Sequence, residues 1–80
     1  MQKINVIIPA FNEQDSIGQV IQDIPDHVEE VIVVSNNSTD QTEATAKRAG
    51  ATVLTENNPG YGYACLKGMS YIAVKEAKPD

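Results

Sequence analysis

VIVVSNNSTDQ, residues 31–41, decides the fold of this chain, because four β-branched residues pass directly into a polar turn. A short apolar run of this kind is typical of a strand buried on both faces of a parallel sheet. Ser38 and Gln41 stand three residues apart, the spacing of a helix capping box, so a helix is expected to begin here. A buried strand followed at once by a helix predicts an alternating α/β fold.

The segment before this stretch repeats the same order. Residues 4–8 form a β-rich apolar run that Pro9 ends, and they predict the first strand. Asn12 or Asp15 is then expected to cap a helix that Pro25 terminates. The apolar residues of that helix recur at helical spacing, at Ile17, Val20, Ile21 and Ile24.

The segment after this stretch adds one more strand and one more helix. Gly50 is expected to end the second helix. Residues 51–54 predict a third, weaker strand nearer a sheet edge. A last helix is expected at residues 61–77, with Pro79 as its stop.

Three strand–helix units with short connections predict a Rossmann-like, three-layer βαβαβα architecture with a parallel sheet and right-handed crossovers. The chain has no repeat, linker or low-complexity segment, so residues 1–80 are expected to form one unit. The first strand of such a sheet is expected to be central, with a fourth strand on its other side. The last helix ends where that strand should begin, so the chain is interpreted as a fragment of a larger domain.

The composition excludes several classes of function. A formal charge of −5 and six scattered basic residues argue against binding to a nucleic-acid backbone. The single cysteine, Cys65, excludes an internal disulfide bond, and no Cys/His cluster has the spacing of a zinc site. Neither an apolar run of about 20 residues nor a signal-peptide layout is present. The expected location is the cytoplasm or the cytoplasmic face of a membrane.

The three strand-to-helix connections contain the candidate site, because ligands of such folds bind at the carboxyl edge of the sheet. Phe11 offers a flat face for a base, Glu13 a carboxylate for ribose hydroxyls, and Asn36 an amide for a nucleobase edge. Gly60 and Gly62 let backbone N–H groups approach phosphates near a helix N-terminus. Each residue also has a structural explanation as a turn, cap or first-turn residue. Their convergence on one edge favours a ligand site.

Competing motifs are absent or incomplete. No Gly-x4-Gly-Lys-Ser/Thr phosphate loop occurs. Gly60-Tyr61-Gly62 follows the third strand and lacks the third glycine of a dinucleotide fingerprint. His27, the only histidine, precedes the second strand and is expected at the opposite edge, so no Ser-His-Asp or Cys-His set can form.

Three segments resemble the family 2 glycosyltransferases of the GT-A fold. VIIPAFNE, residues 6–13, resembles that family's V-I-I-P-x-Y/F-N-E opening. EVIVVSNNSTDQT, residues 30–42, resembles E-V-I-V-V-D-D/N-G/N-S-T-D-x-T, and NPGYGYACLKG, residues 58–68, is similar to N-x-G-x-G-x-A-x-x-x-G. The motifs occur in the family's order and cover nearly the whole chain. They look most like the polyprenyl-phosphate enzymes, including those similar to dolichyl-phosphate mannose synthase.

The resemblance implies a nucleotide site with two departures from the family pattern. Ser35 replaces a usual Asp, so base recognition rests on the Asn36 amide and does not decide between uridine and guanosine. Tyr61 replaces a basic residue often found within the glycine motif. The residues implied to bind the nucleotide are Pro9, Phe11, Glu13, Ser35, Asn36, Gly60 and Gly62.

The implied activity is inverting transfer of a sugar from a UDP- or GDP-sugar to an acceptor hydroxyl or a lipid phosphate. The family's Asp-x-Asp, which holds Mg²⁺ or Mn²⁺, is expected after Asp80, and the general base later still. Residues 1–80 are therefore expected to supply the N-terminal nucleotide-sugar-binding segment, with no catalytic and no metal-binding residue, and to be inactive alone. Membrane association of a longer parent is an open alternative.

Two other functions are alternatives to this one. A nucleotidyltransferase of similar fold would need a glycine-rich, basic loop directly after the first strand, which residues 9–13 do not provide. A stand-alone, non-catalytic nucleotide-binding module remains the alternative to an enzyme.

Overall fold

The computed structural model describes residues 4–77. Strands and helices alternate three times, which confirms the predicted order. Among these residues, no helix is both long enough and apolar enough to cross a membrane. The elements are β1 (Asn5–Ala10), α1 (Ile17–Gln22), β2 (Glu30–Ser35), α2 (Thr42–Arg48), β3 (Thr52–Thr55) and α3 (Tyr61–Ala77).

The three strands form one parallel sheet in the order β1-β2-β3. Ala10 of β1 pairs with Ser35 of β2, and Ser35 pairs with Thr55 of β3. The carboxyl ends of all three strands therefore lie in one row, which places their following loops at the same edge. The predicted edge position of the third strand is confirmed. Within the described residues, β1 forms the other edge of the sheet.

β2 lies at the centre of the core, and its side chains alternate between the two faces of the sheet. Ile32 and Val34 face α3 and pack with Ala64. Val33 faces the opposite layer and packs with Ile17 and other residues of α1 and α2. Ile32, Val33 and Val34 are completely buried. Helices thus cover both faces of the sheet, which is the predicted three-layer arrangement.

α3 lies unusually close to β1 at Gly68. A Cβ atom at this position would lie 2.6 Å from Cγ2 of Ile7. Ile7 is β-branched, so its side chain has little rotamer freedom to move aside. The absence of a side chain at Gly68 therefore sets the distance between helix and sheet.

β1 continues through Pro9, which had been expected to end it. The carbonyls of Ile4 and Ala10 accept hydrogen bonds from Glu29 and Asn36 on the β2 side. Because the bonding direction alternates along a strand, the nitrogen of Pro9 faces the open side of β1. Its missing N–H therefore costs no bond to β2, which is why proline is tolerated there.

The predicted bounds of α3, residues 61–77, are confirmed, and α1 ends at Gln22, before Pro25. The predicted caps at the starts of α1 and α2 are wrong. α1 begins at Ile17 after Ser16, whose side chain makes no capping bond, so neither predicted cap is used. α2 begins after Gln41, also without a side-chain cap bond, and the predicted capping box at Ser38 is wrong. The Ser38 hydroxyl instead accepts the N–H of Asn12. Pro79, the predicted stop of α3, lies outside the described residues.

The predicted stop at Gly50 is confirmed by its geometry. Gly50 has φ +98°, in the region that favours glycine. Its N–H donates to the carbonyl of Lys47, and the N–H of Ala51 donates to the carbonyl of Ala46. These two bonds form a Schellman motif that ends α2 and directs the chain into β3.

A polar cluster closes the amino end of the sheet, opposite the candidate site. The Oε2 of Glu30 accepts hydrogen bonds from Thr52 Oγ1 (2.6 Å) and from the Tyr71 hydroxyl (2.8 Å), and Oε1 pairs with Lys75. Burial acts to raise the pKa of Glu30, but the bonds from Lys75, Thr52 and Tyr71 outweigh it and lower the pKa below its ordinary 4.5. The bond to Glu30 raises the pKa values of Tyr71 and Lys75, so both partners stay protonated in acid.

We expect this cluster to stabilise the fold at neutral pH and to lose its effect in acid. The pKa of Glu30 is lower in the folded chain than in the unfolded chain. Its contribution to the free energy of unfolding is therefore complete above the ordinary pKa and disappears as pH falls through the pKa of the folded chain. Urea unfolding of the wild type and of Glu30→Gln between about pH 7 and about pH 3 measures this. The gap in free energy of unfolding between the two proteins should narrow as pH falls. A constant gap would contradict the assignment.

Candidate nucleotide-binding site

Three loops meet at the carboxyl edge of the sheet. We call residues 11–16 the first loop, 36–41 the second loop and 56–60 the third loop. The N–H of Asn36 donates to the carbonyl of Ala10 (2.8 Å), and the N–H of Glu56 donates to the carbonyl of Ser35 (2.9 Å). The second and third loops therefore each begin bonded to the end of the neighbouring strand.

Asn12 joins the first loop to the second. Its N–H donates to Ser38 Oγ (3.1 Å), and its Oδ1 accepts the N–H of Thr39 (2.8 Å). Asn12 has φ +50°, a conformation that asparagine tolerates better than most residues. The exchange of two bonds between residues far apart in sequence holds the two loops side by side.

Thr42 and Asp40 extend this connection into the interior. The N–H of Glu13 donates to Oγ1 of Thr42 (2.7 Å), and that hydroxyl donates to Oδ1 of Asp40. Asp40 also accepts the N–H groups of Thr42 (2.9 Å) and Gln14 (3.3 Å). Desolvation acts to raise the pKa of Asp40, but the bonds from Thr42 and Gln14 outweigh it and lower the pKa. Asp40 is therefore a structural carboxylate that holds the first two loops together.

Asn36 and Asn37 join the second loop to the third. The Nδ2 of Asn36 donates to the carbonyls of Asn58 (2.7 Å) and Glu56 (3.4 Å), and its Oδ1 accepts the N–H of Gly60 (3.4 Å). The Nδ2 of Asn37 donates to the carbonyl of Asn57 (2.8 Å). Two adjacent amides thus bind three consecutive carbonyls and one N–H of the third loop.

A cleft of about 370 Å³ opens between the first and third loops. Its two aromatic residues are unusually exposed for their type, Phe11 at 57% and Tyr61 at 74%. Exposed aromatic faces beside a carboxylate and an amide are suited to a ligand with both a flat ring and hydroxyl groups. The lining residues are Pro9, Ala10, Phe11, Glu13, Asn36, Gly60, Tyr61 and Ala64.

The structure brings five of the seven predicted site residues into this cleft and leaves two outside it. Ser35 is completely buried, and its Oγ accepts the N–H of Ser38 (3.4 Å). Gly62 lies in the first turn of α3, where a Cβ atom would contact nothing within 4 Å. The five residues in the cleft are Pro9, Phe11, Glu13, Asn36 and Gly60.

Two contributors to the site were not predicted as such. Tyr61 lines the cleft as an aromatic residue, although the sequence marked it only as the replacement of a basic one. Thr42 positions Glu13 from the interior, and its place after the capping-box pattern gave no sign of this bond.

A larger groove of about 580 Å³ lies on the other side of α3, against β3. Leu54, Tyr71 and Lys75 are among its lining residues. Two of its polar groups, Tyr71 and Lys75, are already bonded to Glu30. The groove shares no lining residue with the cleft between the loops, so size alone does not make it the functional site.

No group of three or more His, Cys, Asp or Glu side chains that would suit a metal ion occurs within residues 4–77. Glu13 is the carboxylate that lines the cleft. Its Oε2 accepts a hydrogen bond from Ser16 (3.2 Å). The described donor set therefore does not fit a divalent cation, and no metal role is assigned to it.

Comparison with known proteins agrees with this architecture. The model of glycosyl transferase family 2 matches residues 5–74. An uncharacterized glycosyltransferase of Mycobacterium tuberculosis is 42% identical over 66 residues, which are 82% of this chain and 30% of that protein. Glucosyl-3-phosphoglycerate synthase of Mycolicibacterium paratuberculosis is 37% identical over 79 residues, covering 84% of this chain and 24% of the synthase.

A solved structure supports the same assignment. Glucosyl-3-phosphoglycerate synthase from M. tuberculosis, in complex with Mn²⁺, UDP-glucose and glycerol 3-phosphate, superposes with a TM-score of 0.79 at 34% identity. The match covers 88% of this chain and 30% of that one, so the chain spans less than a third of the relatives described here. The predicted GT-A architecture is confirmed. The chain belongs to glycosyl transferase family 2.

Proposed function

We propose that residues 1–80 form the donor-nucleotide-binding segment of a glycosyltransferase that moves a sugar from a nucleotide-diphospho-sugar to an acceptor. The observation that supports this most directly is the cleft at the carboxyl edge, with Phe11 and Tyr61 exposed beside Glu13. The UDP-glucose held by the related synthase supports a UDP-sugar over a GDP-sugar.

The proposed roles follow from the chemistry of the lining. Phe11 stacks on the base, since an exposed ring gains contact area and a favourable ring–ring geometry on binding. The Glu13 carboxylate accepts hydrogen bonds from ribose hydroxyls. Pro9 forms the apolar floor beneath the nucleoside.

The diphosphate is proposed to lie at the amino end of α3. The first N–H groups of a helix have no partner inside it. In α3 the N–H of Ala64 is bonded back to the Gly60 carbonyl (3.4 Å), so those of Tyr61, Gly62 and Tyr63 precede the first helical bond. They form a site for an anion, and Gly62 contributes its backbone there without lining the cleft.

The chemical step belongs to a longer parent in this proposal. A Mg²⁺ or Mn²⁺ ion bound by that longer protein would neutralise the charge of the leaving diphosphate. Residues 4–77 offer no ligand set for it, so this segment binds and orients the donor and does not catalyse transfer alone. Inverting stereochemistry and a cytoplasmic location are part of the same proposal.

For the acceptor we propose a chemical class, the oxygen atom of a hydroxyl or phosphate group. The named acceptor-side ligand of the solved relative is glycerol 3-phosphate, a small phosphorylated molecule. A lipid phosphate, and with it membrane association of the parent, has the support of the sequence resemblance alone.

Titration of the 80-residue chain with UDP and GDP, with and without Mn²⁺, tests the proposal. We expect UDP to shift the NMR amide signals of Phe11, Glu13, Asn36 and Gly60 equally well without the metal. Phe11→Ala should weaken UDP binding roughly five-fold to a hundred-fold, since stacking on one aromatic side chain contributes about 1 to 3 kcal/mol. Leu66→Ala is the matched control, because Leu66 is 58% exposed, as Phe11 is 57% exposed, but lies outside the cleft.

A folded chain that binds neither nucleotide at millimolar concentration would contradict this function. Equal loss of affinity in Phe11→Ala and Leu66→Ala would contradict the stacking role. Binding without transfer by the full-length gene product would favour the non-catalytic module.

A further inference from the structure

We propose that Asn36 is a positioning residue that latches the third loop to the end of β2, and that its amide donors act on this loop and not on the nucleobase. The inference rests on the proposed nucleotide function and changes the role that the sequence assigned to Asn36. It concerns how the Gly60 side of the cleft is shaped before any ligand arrives.

The orientation of the Asn36 amide follows from its partners. The carbonyls of Asn58 and Glu56 only accept hydrogen bonds, so the group that faces them must be Nδ2. The N–H of Gly60 only donates, so it must face Oδ1. Both N–H groups of the amide are therefore used by the third loop, and no donor remains for a base edge.

The latch fixes a loop whose backbone is under constraint. Gly60 has φ +126°, where any L side chain would be strained. Gly60 and the neighbouring Tyr61 both line the cleft. Release of Asn36 would therefore move the wall of the site that bears an exposed aromatic ring and the start of α3.

Aspartate is the variant that separates the two roles. Asn36→Asp keeps the shape and an acceptor for Gly60 but points a carboxylate oxygen at two carbonyls, which repel it. The latch should therefore open at neutral pH. In acid the protonated carboxyl regains one O–H donor, and the latch should close again. A residue that reads a base N–H through its oxygen would instead function as well with aspartate as with asparagine.

UDP affinity of the 80-residue chain, measured against pH by calorimetry, tests this. We expect Asn36→Asp to weaken binding about five-fold to a hundred-fold at neutral pH, the loss that follows from two unmade hydrogen bonds to the third loop. The ratio of its Kd to that of the wild type should return toward one as pH falls. Glu13 in the cleft, Glu56 beside Asn58 and the phosphate of UDP are the other ionisable groups, and they are common to both proteins, so the comparison is made on the ratio of the two Kd values.

Two further variants control the test. Gln41→Glu makes the same change from amide to carboxylate in the second loop, at an exposed side chain outside the cleft lining. It should weaken UDP binding by less than about three-fold at any pH. Asn36→Ala lacks donor and acceptor together, so it should lose affinity at all pH values without recovery in acid.

The outcomes distinguish the latch from the nucleotide function. Equal or tighter UDP binding by Asn36→Asp at neutral pH, or a loss shared by Gln41→Glu, would overturn the latch. If the wild type binds no UDP, the nucleotide function fails, and the latch is judged from ligand-free spectra. The amide signals of residues 57–61 should then shift in Asn36→Asp and return in acid, and unshifted signals would overturn it.

Discussion

Gly68→Ala should make the protein about 1 to 3 kcal/mol less stable than Gly62→Ala, although both changes place the same methyl group in the same helix. In the interior of a helix, alanine is favoured over glycine by nearly 1 kcal/mol. At Gly68 the new Cβ would lie 2.6 Å from Cγ2 and 3.1 Å from Cδ1 of Ile7, so α3 must lift from β1. At Gly62 it meets nothing within 4 Å, so the helical preference should appear there as a small gain.

Chemical denaturation of the wild type, Gly68→Ala and Gly62→Ala measures this difference, and the midpoint of thermal unfolding provides a second measurement. For a chain of this size, 1 kcal/mol corresponds to roughly 4 to 8 °C. Equal stability of the two variants would mean that the helix and strand are not in tight contact at Gly68. Because Gly62 lies at the proposed phosphate site, UDP affinity of Gly62→Ala shows separately whether its backbone is approached by a ligand.

Thr42→Val should cost about 1 to 3 kcal/mol, because it leaves a polar group without its partner at almost constant volume. Thr42 is completely buried, and its hydroxyl accepts the N–H of Glu13 while donating to Asp40. Valine leaves the Glu13 N–H without that acceptor. Because the lost hydroxyl bond helps to lower the pKa of Asp40, that pKa should rise toward its ordinary value.

Thr45→Val on the same helix is the control for this change. Its hydroxyl accepts a long, exposed hydrogen bond from the Arg48 guanidinium, at 3.4 Å, so its loss should be nearly neutral. Urea unfolding gives the free energies, and an NMR titration of the Asp40 carboxyl carbon gives the pKa. If both variants were equally stable and Asp40 titrated unchanged, the first two loops would not depend on Thr42.

The order of elements was readable from the sequence because it depends on local patterns. The run Val31–Val34 has no polar residue, and burial on both faces of a sheet is the simplest reason for that. Gly50 ends a helix through its own backbone conformation. The failures share a physical cause: Ser38 has the spacing of a cap, but a bond to Asn12, 26 residues away, takes its hydroxyl. A local pattern contains no sign of such a distant partner.

The residues of the site were likewise predictable where their positions follow from the order of strands and helices. Phe11, Glu13 and Gly60 reach the cleft because they follow the ends of parallel strands, which topology determines. Ser35 lies on the same face of β2 as Val33, so strand alternation directs it into the interior, a point that the motif alone concealed. The hydrogen bonds of Asn36 depend on how closely the third loop approaches its side chain, and the sequence does not contain that distance.

The open side of β1 has a consequence for how this chain behaves in concentrated solution. Within residues 4–77, the backbone groups on this side that have no strand partner belong to Asn5, Ile7 and Pro9, beside the apolar run that ends at Ile8. Such an edge is a template on which a foreign strand can add, and apolar edges promote aggregation. Pro9 offers no donor to an incoming strand, so a ladder that starts at Asn5 must stop before the carboxyl end. Pro9 thus prevents a foreign strand from extending along β1 to the ligand end of the sheet, which opposes fibrous self-association.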